Sequence, residues 1–210
     1  QVSSKPLDML KERGFEIILN THGRVLKEPE LLSSMEDCVA VVAGTEIYNQ
    51  KIIESSKNLK VISRVGVGVD NIDLDFAKKE RIIVSRCATS PSHAVAELVL
   101  CLFLNLSRNI VDMNNDLRLG KWEKKMGKQL SGKTVGVIGL GEIGKKFIEI
   151  TSGLNLTYLA YDIHEDQFFS KKHGIQYVTL KELLKKSELI TIHLNNSKEN
   201  YNFVDLDKFK

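Results

Sequence analysis

Residues 132–162 read GKTVGVIGLGEIGKKFIEITSGLNLTYLAYD, and the order of residue types along this stretch decides the fold. Thr134–Leu140 is a short apolar, β-branched run, the pattern of a strand buried on both faces. Gly139, Gly141 and Gly144 follow in the G-x-G-x-x-G spacing. From Ile143 the pattern turns helical, with Ile143, Phe147 and Ile150 at helical spacing until Gly153 stops it. A second strand, Leu156–Tyr161, ends in Asp162.

Each part has a physical task. Gly139 takes a tight turn out of the strand, Gly141 lets a pyrophosphate approach bare backbone, and Gly144 lets the helix lie close on the sheet. The helix start around Glu142–Lys145 presents unpaired N–H groups and the positive end of a dipole to phosphates. Asp162 stands eighteen positions after Gly144, where a carboxylate binds both ribose hydroxyls and repels a 2′-phosphate. This favours NAD over NADP. A glycine triplet alone is a weak signal, since glycine-rich turns are common. Strand, helix, second strand and terminal acid in the required order make a dinucleotide site the better reading.

Working outward, the chain has 210 residues, 42% of them apolar and 27% charged, ordinary for a globular protein in one large or two small domains. A net charge of +3 gives no argument for a nucleic-acid or membrane partner. Paired lysines such as Lys78-Lys79 and Lys185-Lys186 read as solvated surface. Cys38, Cys87 and Cys101 are too far apart for a metal site and lie in apolar runs, so they are expected to be buried free thiols in a reducing cytosol. The longest apolar run, Leu98–Leu106, is too short to span a membrane, and no signal peptide opens the chain, pointing to the cytoplasm. Gln1 suggests a trimmed start, with Gln1–Ser4 as the stump of a strand.

Before the glycine stretch, helices alternate with short apolar strands. Helices are expected at Leu7–Arg13, Glu30–Met35, from an Asn49 cap to Ser56, and at Ile72–Lys79. Strands are expected at Phe15–Leu19, Val39–Ala43, Leu59–Ser63 and Ile82–Ser85. This alternation argues for a parallel sheet covered on both faces. A long helical stretch begins near Pro91 with Ser90 as its cap. His93–Asn105 is apolar nearly all round, as in a helix buried between domains or subunits, and polarity persists to Trp122. After Asp162 come strand Ile175–Val178, helix Leu180–Lys185 and strand Leu189–Leu194, with a helix start at Val204–Phe209. The fold class is therefore α/β: two doubly wound parallel-sheet units meeting near residues 86–92.

The loop Arg64–Asp73, RVGVGVDNID, is the second informative stretch. Its N–H groups form a nest for a carboxylate at the carboxyl end of a strand, and a structural turn remains an equal reading of the residues alone. Arg64 reads as a paired surface arginine. Of the histidines, His22, His164 and His173 lie in polar loops or helix ends, and His93 opens the apolar helix. His193 ends a strand but has no carboxylate partner in the sequence, so none is assigned as a proton carrier. No nucleophile elbow and no paired carboxylates for hydrolysis occur. No metal site and no catalytic residue is assigned.

With both loops in hand, the chain resembles the D-2-hydroxyacid dehydrogenases from Leu7 to Lys210. The carriers are RVGVGVDNID (64–73), AVAELVLCLFLNLSRNI (94–110), RLGKW (118–122), LSGKTVGVIGLGEIG (130–144), YD (161–162) and ITIHL (190–194). The resemblance implies a flavodoxin-like substrate domain, residues 1–88, and an incomplete Rossmann NAD-binding domain, residues 89–210. It implies that Val65, Gly66, Val67 and Gly68 approach the carboxylate of a small 2-hydroxy or 2-oxo acid. Gly139, Leu140, Gly141, Glu142, Ile143 and Gly144 would hold the pyrophosphate and Asp162 the adenosine ribose, while His193, Leu194 and Asn195 would line the nicotinamide pocket. Relatives usually have H-x-P in that last turn; here Asn195 replaces the proline. The apolar helix is implied to lie near the hinge and a homodimer contact. The family's catalytic arginine, glutamate and histidine match no residue up to Lys210, so these 210 residues are expected to lack substantial turnover. The rival reading is a non-catalytic dinucleotide-binding or dimerising module.

Overall fold

The computed structural model describes residues 4–89, 91–203 and 205. They divide into two compact units, Gln1–Thr89 and Ser90–Lys210. The strand stump at Gln1–Ser4 and the helix start at Val204–Phe209 lie outside the described residues, apart from Ser4 and Asp205, as does the Ser90 cap.

The first unit contains α1 (Lys5–Glu12), α2 (Glu28–Met35), β1 (Ala40–Ala43), α3 (Gln50–Glu54), β2 (Val61–Arg64), α4 (Leu74–Lys79) and β3 (Ile83–Arg86). Side-chain caps set two helix starts: Asn49 accepts from the Ile52 N–H, and Asp73 accepts from the Phe76 N–H. The Asp73 cap moves the start of α4 two residues past the expected Ile72, which instead forms a parallel bridge with Tyr48. The strands pair in parallel in the order β1-β2-β3. Two right-handed crossovers stepping the same way put α3 and α4 on one face of the sheet. That face holds the core of Met35, Ile52, Ile53, Ile62, Phe76 and Ala77. On the other face Val42 and Ile83 are each 64% exposed, so the cover expected on both faces is present here on one.

Phe15–Leu19 is not a strand. The Phe15 N–H closes α1 onto the Leu10 carbonyl, and Ile18 and Leu19 are exposed. Apolar alternation alone does not make a strand; a ladder partner does.

The second unit opens with α5 (Ser92–Arg108) and α6 (Ile110–Arg118), which bend by 66° where Asn109 takes a left-handed conformation. The expected single helical stretch is thus two helices. On α5 only Ala96 and Phe103 are fully buried, with Phe103 edge-on to Phe147 at 5.5 Å. Leu98, Leu102 and Leu106 are exposed. Among the described residues no single helix is long and apolar enough to cross a membrane. The expectation of three buried thiols is corrected: Cys87 and Cys101 are exposed and Cys38 is half-buried. Cys101 shares the outward stripe of α5 with Leu98 and Leu102, and Cys87 lies just past the end of β3.

The remaining elements are β4 (Thr134–Ile138), α7 (Glu142–Thr151), β5 (Thr157–Tyr161), α8 (Gln167–His173), β6 (Gln176–Tyr177), α9 (Leu180–Lys186) and β7 (Leu189–Ile192). All pairings are parallel, in the order β6-β5-β4-β7. The chain steps outward from β4 through β5 to β6, then returns to the far side of β4. Right-handed crossovers therefore place α9 on the face opposite α7. Val135, Val137, Phe147, Ile148, Tyr158 and Ala160 pack on one face, and Leu183 packs with Ile138 and Leu159 on the other. This sheet is covered on both sides, and its direction reverses between β4 and β7.

Candidate dinucleotide site

The carboxyl end of β4 is tied to both neighbours. The Gly139 N–H donates to the Tyr161 carbonyl at 2.9 Å, and the His193 N–H donates to the Ile138 carbonyl at 2.8 Å. The Gly139–Gly144 turn, Asp162 and the His193–Asn195 turn thus lie together at the reversal point of the sheet, where open α/β sheets take their ligands.

Gly139 has φ +87°, and a Cβ there would lie 2.8 Å from the His193 carbonyl oxygen. Only glycine turns the chain at that spot. At Gly144 a Cβ would meet the Gly139 carbonyl oxygen at 2.8 Å and Val137 Cγ1 at 3.1 Å, so the first turn of α7 lies against the strand exit. Gly141 differs: it caps α7, no side chain caps the helix, and nothing lies within 4 Å of its Cβ direction. The first-turn amides of α7 therefore have no side-chain cap, open space lies in front of Gly141, and the helix dipole stands behind them. That is a cradle for a pyrophosphate, and a dinucleotide fits it. Glu142 is exposed, with its side chain away from the core.

Asp162 does more than end β5. Its Oδ2 accepts from the Leu140 N–H at 2.6 Å and its Oδ1 from the His164 N–H at 2.9 Å. Each oxygen keeps a second lone pair for a hydroxyl donor. Beyond it, Asp166 was missed by the sequence reading, along with the whole of α8. Its Oδ1 caps α8 by accepting from the Phe169 N–H, and its Oδ2 pairs with Lys145 Nζ at 2.5 Å. The Lys145 ammonium holds the Asp166 carboxyl below its usual range. The signal was there as an acidic cap at Asp166 and a glycine stop at Gly174, whose φ is +65°.

His193 is half-buried, and its Nε2 lies 2.9 Å from Thr191 Oγ1. Burial lowers its pKa from the ordinary imidazole value. The folded state thus binds this proton more weakly than the unfolded chain, and stability falls as pH drops below the unfolded value near 6.5. Thermal melts from pH 7.5 to 5 should show a steeper loss for the parent than for His193→Gln; parallel curves would show that His193 does not carry this dependence. Leu194 follows half-buried. Asn195, in place of the proline of H-x-P, is pinned from the far side: its backbone oxygen accepts from Asn200 Nδ2 at 3.0 Å and its Oδ1 from the same nitrogen at 2.6 Å.

In the first unit, Val65, Gly66, Val67 and Gly68 follow β2. The Val65 N–H donates to the Ala43 carbonyl, and the Gly66 carbonyl accepts from the Cys87 N–H at 3.0 Å. The Arg64 side chain folds over Gly66, donating from Nη1 to the Val65 carbonyl and from Nε to Asn71 Oδ1 at 3.3 Å. It forms no ion pair among the described residues, contrary to the paired arginine expected. Asn71 in turn donates to the Gly44 and Glu46 carbonyls at 3.1 and 2.7 Å. Arg86 Nη1 donates to the Val67 carbonyl at 2.9 Å, a contact that sequence reasoning did not foresee. His93 lies 3.3 Å from Glu97 and His22 lies 4.0 Å from Glu30, both on the surface. Among the described residues no group of three His, Cys, Asp or Glu is placed to hold a metal.

A parallel sheet in the order 3-2-1-4, a glycine turn onto an uncapped helix and an acid ending the next strand together define a Rossmann-type nucleotide-binding domain. The chain belongs to the D-isomer specific 2-hydroxyacid dehydrogenases: residues 100–210 match that family's NAD binding domain. The cofactor of that domain is NAD.

Over its whole length the chain is 32% identical to the D-3-phosphoglycerate dehydrogenase of Archaeoglobus fulgidus, of which it spans 40%. It is 37% identical over 80% of its length to the hydroxypyruvate reductase of Thermotoga maritima, covering 55% of that enzyme. The apo-structure of D-lactate dehydrogenase from Escherichia coli superposes with a TM-score of 0.81 at 29% identity, over 98% of this chain and 66% of that one. The chain thus spans about half, or less, of the length of these curated relatives.

Proposed function

We propose that the chain is part of an NAD-dependent oxidoreductase acting on the CH–OH group of a D-2-hydroxy acid, of the D-3-phosphoglycerate dehydrogenase type. The observation that carries this is the uncapped start of α7 behind a turn in which Gly139 and Gly144 have no room for a Cβ, set where the sheet reverses. The Gly139–Gly144 turn holds the pyrophosphate, through the N–H groups at the start of α7 rather than those of Gly139 and Leu140, which are bonded within the protein. Asp162 takes the adenosine ribose hydroxyls while keeping the Leu140 amide in place. His193, Leu194 and Asn195 line the nicotinamide side, and the Val65–Gly68 loop approaches the substrate carboxylate with its Val67 and Gly68 amides. Residues 1–88 form the substrate-binding part and 89–210 the NAD-binding part. NAD, when bound, supplies the hydride acceptor; the protein supplies orientation and electrostatics.

The 210 residues have no counterpart of the family's catalytic arginine, glutamate and histidine, so cofactor binding without substantial turnover is their expected behaviour. The exposed Leu98, Leu102 and Leu106 of α5 support a homodimer, because a second copy covering them would remove apolar surface from water. The cytoplasm is the proposed location.

Titration with NADH and NADPH, followed by nucleotide fluorescence, tests the reading. The parent should bind NADH at least tenfold more tightly than NADPH. Asp162→Ala should bring the two within about threefold, because the charge that repels a 2′-phosphate is gone. Failure of the parent to bind NADH would refute the assignment, and undiminished discrimination in the variant would move the preference to another residue.

A further inference from the structure

Two arginines occupy the last positions of neighbouring strands in the first unit. In the ladder Arg64 of β2 pairs with Arg86 of β3, so both side chains emerge on the same side of the sheet at its carboxyl end. Both guanidinium groups reach back to the Val65–Gly68 loop, Arg64 to the Val65 carbonyl and Arg86 to the Val67 carbonyl. They are not equivalent. Arg64 spends Nε on Asn71 and lies over Gly66, where a Cβ would meet its Nη1 at 2.7 Å. It is also the nearer of the two to the Glu46 loop, which Asn71 ties to it. Arg86 stands on the third strand of β1-β2-β3, one strand further from Glu46, and is exposed. A single hydrogen bond to Val67 anchors it, and it makes no ion pair among the described residues. A guanidinium has five N–H donors in a planar fork, so the anchored Arg86 keeps donors free beside the loop. The other nearby carboxylate, Asp70, lies against Gly68.

We propose that Arg86 is a specificity-determining residue: it receives a second oxyanion on the substrate, phosphoryl or carboxyl, while the Val65–Gly68 loop takes the carboxylate beside the reacting carbon through the Val67 and Gly68 amides, the Val65 and Gly66 amides being held by the Ala43 and Arg64 carbonyls. This inference rests on the reading of Val65–Gly68 as the substrate loop. Its chemistry is that of a bidentate, charge-assisted contact to an oxyanion. A 2-hydroxy acid bearing two anionic groups is therefore preferred over one bearing a single group. Arg64 serves as a positioning residue that holds the loop.

Calorimetric titration of the full chain with 3-phosphoglycerate, D-malate and D-glycerate tests this, with NADH affinity measured in parallel. In the parent, 3-phosphoglycerate or D-malate should bind at least tenfold more tightly than D-glycerate, and whichever gains more identifies the oxyanion as phosphoryl or carboxyl. Arg86→Gln, which keeps an amide donor for the Val67 carbonyl, should remove most of that preference and leave D-glycerate and NADH binding within about twofold. Arg86→Lys, retaining the charge, should keep at least a third of the preference. An Arg86→Gln variant that weakens all three acids equally, or that leaves the preference untouched, overturns the proposal. So does an Arg86→Lys variant that behaves like Arg86→Gln. A parent that fails to bind NADH overturns the dinucleotide assignment instead, and the acid titrations still judge Arg86 separately.

Discussion

Gly141→Asp should abolish NAD binding while leaving the fold as stable as before, or slightly more so. The position caps α7, with φ −77° and ψ −158°, which any residue adopts, and open space surrounds it. Aspartate is a better cap than glycine by a few tenths of a kcal/mol, and its charge suits the positive end of the helix. The unit's melting temperature should therefore hold or rise by about 2 °C. The same carboxylate would fill the space a pyrophosphate needs and satisfy the amides meant for it. Two charge-assisted hydrogen bonds lost amount to roughly 3 kcal/mol or more, about a hundredfold in affinity, before charge repulsion is added. NADH titration and a thermal melt on the same preparation check both halves. Retained affinity would place the phosphates elsewhere.

Gly139→Ala should act the opposite way, through the fold. Its φ of +87° disfavours any side chain, and the added methyl carbon would lie 2.8 Å from the His193 carbonyl oxygen, a backbone atom held by the β4–β7 ladder. The left-handed conformation costs about 1 kcal/mol and the overpacking about 1–3 kcal/mol more. At roughly 2–4 °C per kcal/mol the second unit should melt about 4–16 °C lower. NADH affinity should fall too, because relieving the clash moves the His193–Asn195 turn. An alanine variant with an unchanged melting temperature would mean that the β4 exit and the β7 exit are not in contact. Paired with Gly141→Asp, the two variants separate a glycine needed by the ligand from one needed by the chain.

The difference between those glycines was only partly legible in the sequence. The spacing identified all three and assigned Gly139 to the turn, Gly141 to the phosphates and Gly144 to helix packing; in the structure Gly139 has a positive φ, Gly144 lies against the strand exit and Gly141 faces open space. What obstructs Gly139 is a carbonyl from residue 193, and no local pattern announces a neighbour that distant. Helix α8 was missed because its seven residues, QFFSKKH, bury few side chains, so its periodicity is faint beside its caps. The expected strand Phe15–Leu19 failed for the converse reason: it has apolar residues and no ladder.

The sequence by itself determined the alternation of helix and strand, the glycine turn with its following helix, and the acid closing the next strand. These depend on backbone freedom, capping and periodicity, which act over a few residues. Only the tertiary structure decided that β7 lies beside β4, that Asp162 holds the Leu140 amide, and that Arg64 and Arg86 stand abreast. It also decided which apolar faces stay open. Strand order and register arise from pairing between segments tens of residues apart, and the energy of that pairing is visible once the sheet has formed.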